Sequence, residues 1–322
     1  MTLRIWTIGD ERTASTRLRV HQFLPRLAGD GIAARIRTIP RAFVPRLAVF
    51  TALRPGDRLL VQKKLFSSRE LRFLRRLAGR LLYDVDDAVY LDGPGSTRNR
   101  DRFLAVTALA DRVLAGNGTL AAAAARPEKV TILPTAIDTD RFRPVPLPSR
   151  EPELVAWIGS RTNLPNLESL FPVFAEVRRR RPRSRLLVVA DRSPAGLPEG
   201  ASFVPWSPGT EREILGRASI GVMPLDDTPF NRGKCGFKIL LYQACGLPVI
   251  ASPVGVNREL IVPGETGLLA EGPRAWTDAL ERLLGDPASA ARMGARGRDG
   301  VERTHAVAEI YPRFRDAVLE GG

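Results

Sequence analysis

Two cysteines and two histidines are all that the 322 residues contain. A disulfide framework is excluded, and a reducing, cytoplasmic setting fits. A Cys/His zinc centre lacks ligands as well. No run of ~18 apolar residues is present, so no spanning helix is expected. Met1–Ile8 is too short and too strand-like for a secretory leader. Lysine is scarce: Lys63, Lys64, Lys129, Lys234 and Lys238 are the full set. There is no low-complexity segment and no short repeat.

The chain does have enough apolar surface for two ordinary cores, at 44% hydrophobic residues, and its length suits two domains. Its net charge of +14 is unevenly placed. Residues 1–150 hold 27 Lys and Arg against 14 Asp and Glu, whereas residues 151–322 hold 22 against 21. An arginine-rich composition does not explain that imbalance. It points to an anionic partner for the first half: a membrane surface, a phosphorylated acceptor or nucleic acid.

Short apolar runs alternate with amphipathic stretches, the pattern of βα units and parallel sheets. Strands are expected at Leu3–Ile8, Ile32–Ile36, Arg58–Val61, Leu81–Val85, Arg112–Ala115 and Val130–Leu133, with helices at Thr16–Leu27 and Ser67–Gly79. The Pro-rich stretch Asp140–Pro152 reads as a linker. Strands then recur at Leu154–Ile158, Arg185–Ala190, Ser219–Pro224, Pro248–Ser252 and Gly267–Leu269. Helices are expected near Pro165–Arg180, Glu211–Arg217, Phe237–Cys245, Pro273–Leu284, Ala288–Arg303 and Ala308–Leu319. Two α/β halves put the default site in a cleft between them, at the carboxyl ends of strands.

The most informative segment runs from Gly221 to Asn257. It reads strand, polar Gly-rich loop, helix, Gly stop, strand, Gly loop. A helix starting near Gly236 aims unpaired N–H groups and a partial positive charge at the loop, which makes an anion site. Lys234 and Lys238 add formal charge there and suit a diphosphate. A solvated basic helix start is the alternative.

The stretch Lys-Cys-Gly-Phe-Lys-Ile-Leu-Leu-Tyr-Gln-Ala-Cys-Gly-Leu-Pro-Val-Ile-Ala-Ser-Pro-Val-Gly (234–255) resembles the donor-site signature of group 1 glycosyltransferases, glycosyltransferase family 4. The similarity extends through Glu259–Ala270, Met293–Arg298, Tyr83–Asp87, Ala110–Asn117 and Thr131–Asp138. The resemblance implies a GT-B fold: an α/β protein of two Rossmann-like domains, with mostly parallel sheets facing a central cleft. The implied division is residues 1–145 on the acceptor side, 146–305 binding the donor, and 306–322 a helix packing back on the first domain. It further implies a nucleotide diphosphate sugar as donor substrate, transfer with retention and no cofactor or required metal. Carried over by residue, the donor group is Gly159, Arg161, Asp226, Lys234, Gly236, Phe237, Lys238, Gly255 and Asn257. Two departures stand out. Gly233 and Leu241 occupy the positions of the family's E-x-x-x-x-x-x-x-E glutamates, and a leucine accepts no hydrogen bond from a ribose. After the first strand of the second half, Arg161 is one residue out of register with the family's arginine.

In the first half, Tyr83-Asp-Val-Asp-Asp87 sets three carboxylates at a strand's carboxyl end. Asp86 and Asp87 are the catalytic candidates, placed to orient an acceptor hydroxyl or take its proton. Helix capping and ion pairing are the alternatives. After the first strand, Ser15, Arg17 and Arg19 are candidates for gripping an acceptor phosphate, against an ordinary cap followed by exposed arginines. Arg69, Arg72, Arg76 and Arg80 recur at helical spacing and form one basic face, which either docks on anionic lipid or is a solvated face. The reading is therefore a hexosyltransferase of cell-envelope or polysaccharide synthesis. It works in the cytoplasm or on the inner face of the membrane, where a lipid-linked or phosphorylated acceptor is a partner. A catalytically inactive, glycosyltransferase-like binding protein is the alternative. Nucleic acid is not an expected partner, because no recognised motif accompanies the charge.

Overall fold

The computed structural model describes residues 2–54, 56–145, 150–208 and 211–320. Two units emerge: Met1–Ala136 with Arg232–Cys235 and Val307–Gly322, and Ile137–Asn231 with Gly236–Ala306. Residues 146–149 of the expected linker lie outside the described residues.

The first unit is built on six strands: β1 (Leu3–Thr7), β2 (Ala34–Thr38), β3 (Arg58–Gln62), β4 (Arg80–Val85), β5 (Arg112–Ala115) and β6 (Val130–Ile132). They lie in the order β2-β1-β3-β4-β5-β6, and every pairing is parallel. Central strands such as Leu81–Val85 and Val113–Ala115 are buried throughout, as expected when both faces of a parallel sheet are covered. One face packs under Phe50, Phe66, Leu71, Leu74 and Phe103. The other packs under Phe23, Leu27 and the helix Val307–Leu319, whose Phe314 ring stacks on Phe23 at 4.6 Å. The strand order reverses direction between β1 and β3. This switch point is where a doubly wound sheet opens a crevice at its carboxyl edge.

Several sequence expectations shift in this unit. The single helix expected over Thr16–Leu27 is broken into Ala14–Arg19, a 3₁₀ turn His21–Phe23, and Leu24–Gly29. Pro25, near the start of the last piece, cannot continue the earlier hydrogen-bond ladder. The helix Ser68–Leu77 starts where its signals place it. Ser67 Oγ accepts from Glu70 N, and Glu70 Oε2 accepts from Ser67 N, a reciprocal cap. It ends before Arg80, which opens β4 and so leaves the basic face to Arg69, Arg72 and Arg76. Helices Phe43–Phe50 and Arg98–Leu109 were not anticipated.

The second unit repeats the plan with β7 (Leu154–Ile158), β8 (Arg185–Ala190), β9 (Ala201–Pro205), β10 (Ile220–Met223), β11 (Val249–Ala251) and β12 (Gly267–Leu269). The order is β12-β11-β10-β7-β8-β9, again all parallel, so its switch point lies between β7 and β10. The edge strand β9 was missed because its residues are largely half-buried and lack an apolar run. The helix Phe237–Ala244 is nearly all apolar and sits in the core through Ile239, Leu240, Leu241 and Tyr242. Tyr242 ties this helix to the sheet. Its hydroxyl accepts from Ile158 N at 2.9 Å and donates to Val222 O at 3.3 Å. The ring lies where a side chain on Gly221 would have to go, 2.3 Å from its Cβ position.

Tyr242→Phe should leave the buried Ile158 amide without a partner. The expected loss is about 1–3 kcal/mol of unfolding free energy, read from urea denaturation, with the parallel sheets otherwise retained.

Candidate functional site

In the first unit, three separate sequence stretches meet at the β1/β3 switch point. The turn after β1 starts the helix Ala14–Arg19, which carries Ser15. β3 ends at Gln62, followed by Lys63, whose backbone takes the left-handed value φ 58°. A non-glycine residue held there is strained. The Lys63 N–H bonds Asp84 O at 2.8 Å. Its side chain turns to the strand ends, where Nζ lies 3.0 Å from Asp86 Oδ1, 2.6 Å from Asp87 Oδ2 and 3.3 Å from Ser15 Oγ. Ser15 Oγ donates to Asp86 Oδ1 at 3.0 Å and accepts from Gln62 Nε2 at 3.2 Å. Thr16 closes the chain by donating to Gln62 Oε1.

These contacts give the adjacent carboxylates different characters. Burial would raise Asp86, but Lys63 and Arg19 hold it below the usual carboxylate range. Asp87 is raised by burial and by the charge of Asp86, against the pull of Lys63. Burial opposes the charge on Lys63 itself, yet Asp86 and Asp87 outweigh it and push its ammonium well above the ordinary lysine range. Asp87 is also the reachable one, with 33% of its side chain open against 12% for Asp86. The arrangement can keep one carboxylate ionised as a fixed charge and offer the other as a proton acceptor. Neither aspartate caps a helix, since the next helix begins at Arg98.

Arg19 requires a correction. It does not present its guanidinium to an acceptor phosphate: the side chain is 1% exposed and pairs with Asp84, Nη2 to Oδ1 at 2.5 Å, while Nη1 donates to Leu133 O. Burial of Asp84 on β4 demands a buried cation, and Arg19 supplies it. Arg17, on the same helix, is half-buried.

Lys234 belongs with the first unit. Asn117 Nδ2 donates to Gly233 O at 3.1 Å and Lys234 O at 3.0 Å, while its Oδ1 accepts from Leu120 N. This fixes Arg232–Cys235 to the first unit. Cys235 Sγ approaches Asp86 O at 3.2 Å. Lys234 therefore lies by the carboxylates. Burial lowers its ammonium, Asp87 raises it, and Lys63 lowers it further.

In the second unit, Gly159 follows β7 and Lys238 is the second residue of the helix Phe237–Ala244. Lys238 Nζ stands 4.4 Å from the centroid of the buried Trp157 ring, within cation–π range. A Cβ on Gly159 would meet Trp157 at 2.4 Å and Lys238 Nζ at 3.0 Å. Only a bare backbone fits beside the ammonium, and the Gly159 N–H is itself bonded to Val189 O at 2.9 Å. Gly236 caps this helix at φ 67°, and a Cβ there would strike Leu260 Cδ1 at 2.2 Å. Gly236, Phe237 and Lys238 thus form one continuous helix start.

The remaining expected donor residues surround the strand ends. Asp226, exposed after β10, is held through its N–H by Asn166 Oδ1 at 3.0 Å, and Asn231 Nδ2 donates to that same oxygen. Asn257 is buried and donates to Ser252 O, and Ser252 Oγ accepts from Leu225 N. Gly255 turns at φ 53° in the loop between them. Asp226 and Ser252 line a cavity of about 330 Å³ with Ser169, Arg258 and Trp276. Arg161 is exposed, its backbone N–H held by Asp191 Oδ1. Leu241, in the place of the second glutamate, is fully buried.

Gln62 and Lys63 were missed as site residues. Their signal was present: Lys63 is one of the few lysines and directly follows an anticipated strand end. Asn117 was missed because its partners lie more than a hundred residues away.

Residues 152–286 match the family model described as "Glycosyl transferases group 1". The chain is 30% identical over 220 residues to the D-inositol 3-phosphate glycosyltransferase of Segniliparus rotundus, covering 61% of this chain and 47% of that one. It is 30% identical over 190 residues to the GDP-mannose-dependent alpha-(1-6)-phosphatidylinositol monomannoside mannosyltransferase of Mycolicibacterium smegmatis, covering 52% and 50%. The chain spans about half the length of these curated relatives. Among solved structures, Anabaena Alr3699/HepE in complex with UDP and glucose superposes with a TM-score of 0.77 at 13% identity, covering 100% of both chains. The sucrose-phosphate synthase of Thermosynechococcus elongatus gives 0.74 at 20% identity, covering 98% of each. The fold is GT-B, as these likenesses show.

Two predictions follow from the charged cluster. Arg19→Ala strands Asp84 and should remove about 3–5 kcal/mol of stability, read by denaturant unfolding. Lys63→Met should raise the Asp86 pKa. A carboxylate lowered in the folded state stabilises above its unfolded pKa, and that stability fades as pH falls through the folded value. The variant should therefore be less stable than the parent at neutral pH, with the gap closing on acidification below about pH 4. Carboxyl carbon NMR titration and unfolding curves at several pH values test both points.

Proposed function

We propose that this chain, whose second unit belongs to the group 1 glycosyltransferases, moves a hexosyl unit from a nucleotide diphosphate sugar to an acceptor hydroxyl. The observation that carries the reading is the group of Gly159, Trp157 and Lys238. It sets an ammonium, a strand end free of side chain and a glycine-capped helix start at the switch point of the matched unit. Such a site suits the diphosphate of the donor.

In this reading the bond between the anomeric carbon and the diphosphate oxygen breaks. The departing nucleoside diphosphate keeps the electron pair, and Lys238 and the amides at Gly236 and Phe237 balance its charge. The acceptor oxygen forms the new bond, with retention at the anomeric carbon, and its proton passes to Asp87. Asp86 stays ionised through Lys63 and Ser15 and keeps Asp87 basic. Asp226, Gly255 and Asn257 lie beside the sugar, and Arg161 near the phosphates. No metal is assigned a step. The inositol phosphate and phosphatidylinositol mannoside in the relatives' names support a phosphorylated or lipid-linked acceptor, and the basic surplus of residues 1–150 supports an anionic acceptor environment; cell-envelope or polysaccharide glycoconjugate synthesis is the role this reading assigns.

A second reading, a binding protein without turnover, is favoured by Leu241. Its burial in the core leaves no acceptor atom for a ribose from that position.

A panel of UDP-, GDP-, ADP- and dTDP-sugars should produce a thermal shift with one nucleotide, since a ligand at about 100 times its Kd adds ~2.7 kcal/mol. Lys238→Ala should abolish the shift; an undiminished shift would place the diphosphate elsewhere. With the donor so identified, Asp87→Asn should slow nucleoside diphosphate release by ~10²–10⁴-fold and leave the shift intact. A clear shift with no release at all in the parent protein would favour the second reading.

A further inference from the structure

The helix Phe43–Phe50 presents an apolar face to solvent. Phe43 is 53% exposed, Val44 74% and Leu47 37%. These positions share one side, while Arg46, Val49 and Phe50 form the buried side. The neighbouring helix Ser68–Leu77 adds Phe73, also 37% exposed. The two helices are locked together. The Phe50 and Phe73 rings approach to 6.2 Å, and Arg46 Nε pairs with Glu70 Oε1 at 2.9 Å. The apolar patch is therefore a fixed surface of the first unit.

Cations surround it. Arg69, Arg72 and Arg76 are exposed on the second helix, and Arg41 is exposed just before the first. Lys64 lies close by: burial lowers its ammonium, Arg46, Arg102 and Arg41 lower it further, and Glu70 opposes them. Lys64 and Arg41 thus add positive charge beside the exposed arginines. The ordinary fate of surface arginines is a solvated face. Four exposed large apolar side chains among them need another explanation, because a purely ionic partner gains nothing from Val44 or Leu47.

We propose that this face of the first unit docks on an anionic lipid bilayer, with Phe43, Val44, Leu47 and Phe73 entering the boundary between headgroups and acyl chains and the arginines meeting lipid phosphates. Apolar insertion combined with cationic attraction is the physical signature of interfacial binding. Nucleic acid would use the arginines and leave the aliphatic side chains idle. The proposal deepens the anionic acceptor environment inferred above and is independent of the transfer chemistry.

The test is co-sedimentation of the full chain with vesicles of phosphatidylcholine alone and of phosphatidylcholine mixed with phosphatidylglycerol, with no sugar nucleotide present. Binding to the mixed vesicles is expected, weakening as salt rises. Arg69→Gln, Arg72→Gln and Arg76→Gln combined should weaken it on the order of a hundredfold, each cation being worth about fivefold. Phe43→Ser with Val44→Glu should abolish it while retaining the parent's melting temperature, since both side chains face solvent. Absent vesicle binding, equal binding to neutral vesicles, or binding unchanged in the Phe43/Val44 variant would each overturn the proposal. So would retention of an oligonucleotide that depends on the arginines alone, or self-association through Val44 without lipid. A donor-induced thermal shift in a protein that ignores vesicles would sink the docking face and leave the proposed transfer standing.

Discussion

A lysine held among carboxylates organises the first unit's strand ends. Lys63 emerges from β3 in a strained left-handed conformation and meets Asp86, Asp87 and Ser15 within 3.3 Å. Removing water from a charge this well buried is unfavourable unless opposite charge is built around it. The neighbouring Arg19–Asp84 pair obeys the same requirement one layer deeper. Because Arg19 joins Lys63 in holding Asp86 ionised, while burial and the charge of Asp86 weigh on Asp87, adjacent aspartates of identical chemistry acquire distinct proton affinities. That is the ordinary physical route by which a pair of acids divides its labour.

The second unit's switch point is built differently. It removes side chains, at Gly159 and Gly236, and brings one ammonium over an aromatic face. The Trp157 ring fixes one side of the Lys238 ammonium, 4.4 Å from its centroid. Tyr242, bonded to both Ile158 and Val222, anchors the helix that carries it.

Much of this was legible in the sequence. Buried parallel strands such as Leu154–Ile158 and Arg185–Ala190 announce themselves as continuous apolar runs, and Ser67 with Glu70 marks a helix start by local chemistry alone. The edge strand Ala201–Pro205 has neither signal. Site residues divide along the same line. Gly159, Gly236 and Lys238 belong to local motifs that follow a strand or open a helix. Arg19 looked like a phosphate ligand because its helix position is visible in sequence, whereas its partner Asp84, on a strand sixty-five positions later, is not. Lys234 reads with Lys238 because four positions separate them, and its place by Asp87 is not visible there. The amide of Asn117 that draws it to the first unit is set by tertiary structure.

The threading of the chain bears on how the protein is made. The first unit takes in Arg232–Cys235 and Val307–Gly322 as well as its opening segment. One face of its sheet, at Leu3, Ile5 and Leu60, is covered by Ile310, Phe314 and Val318. On a ribosome, where domains tend to fold in order of emergence, this first sheet must wait uncovered while the whole second unit is synthesised. The second unit, contiguous but for four residues, can complete itself earlier. The part of the protein that is translated first is therefore the part that finishes folding last.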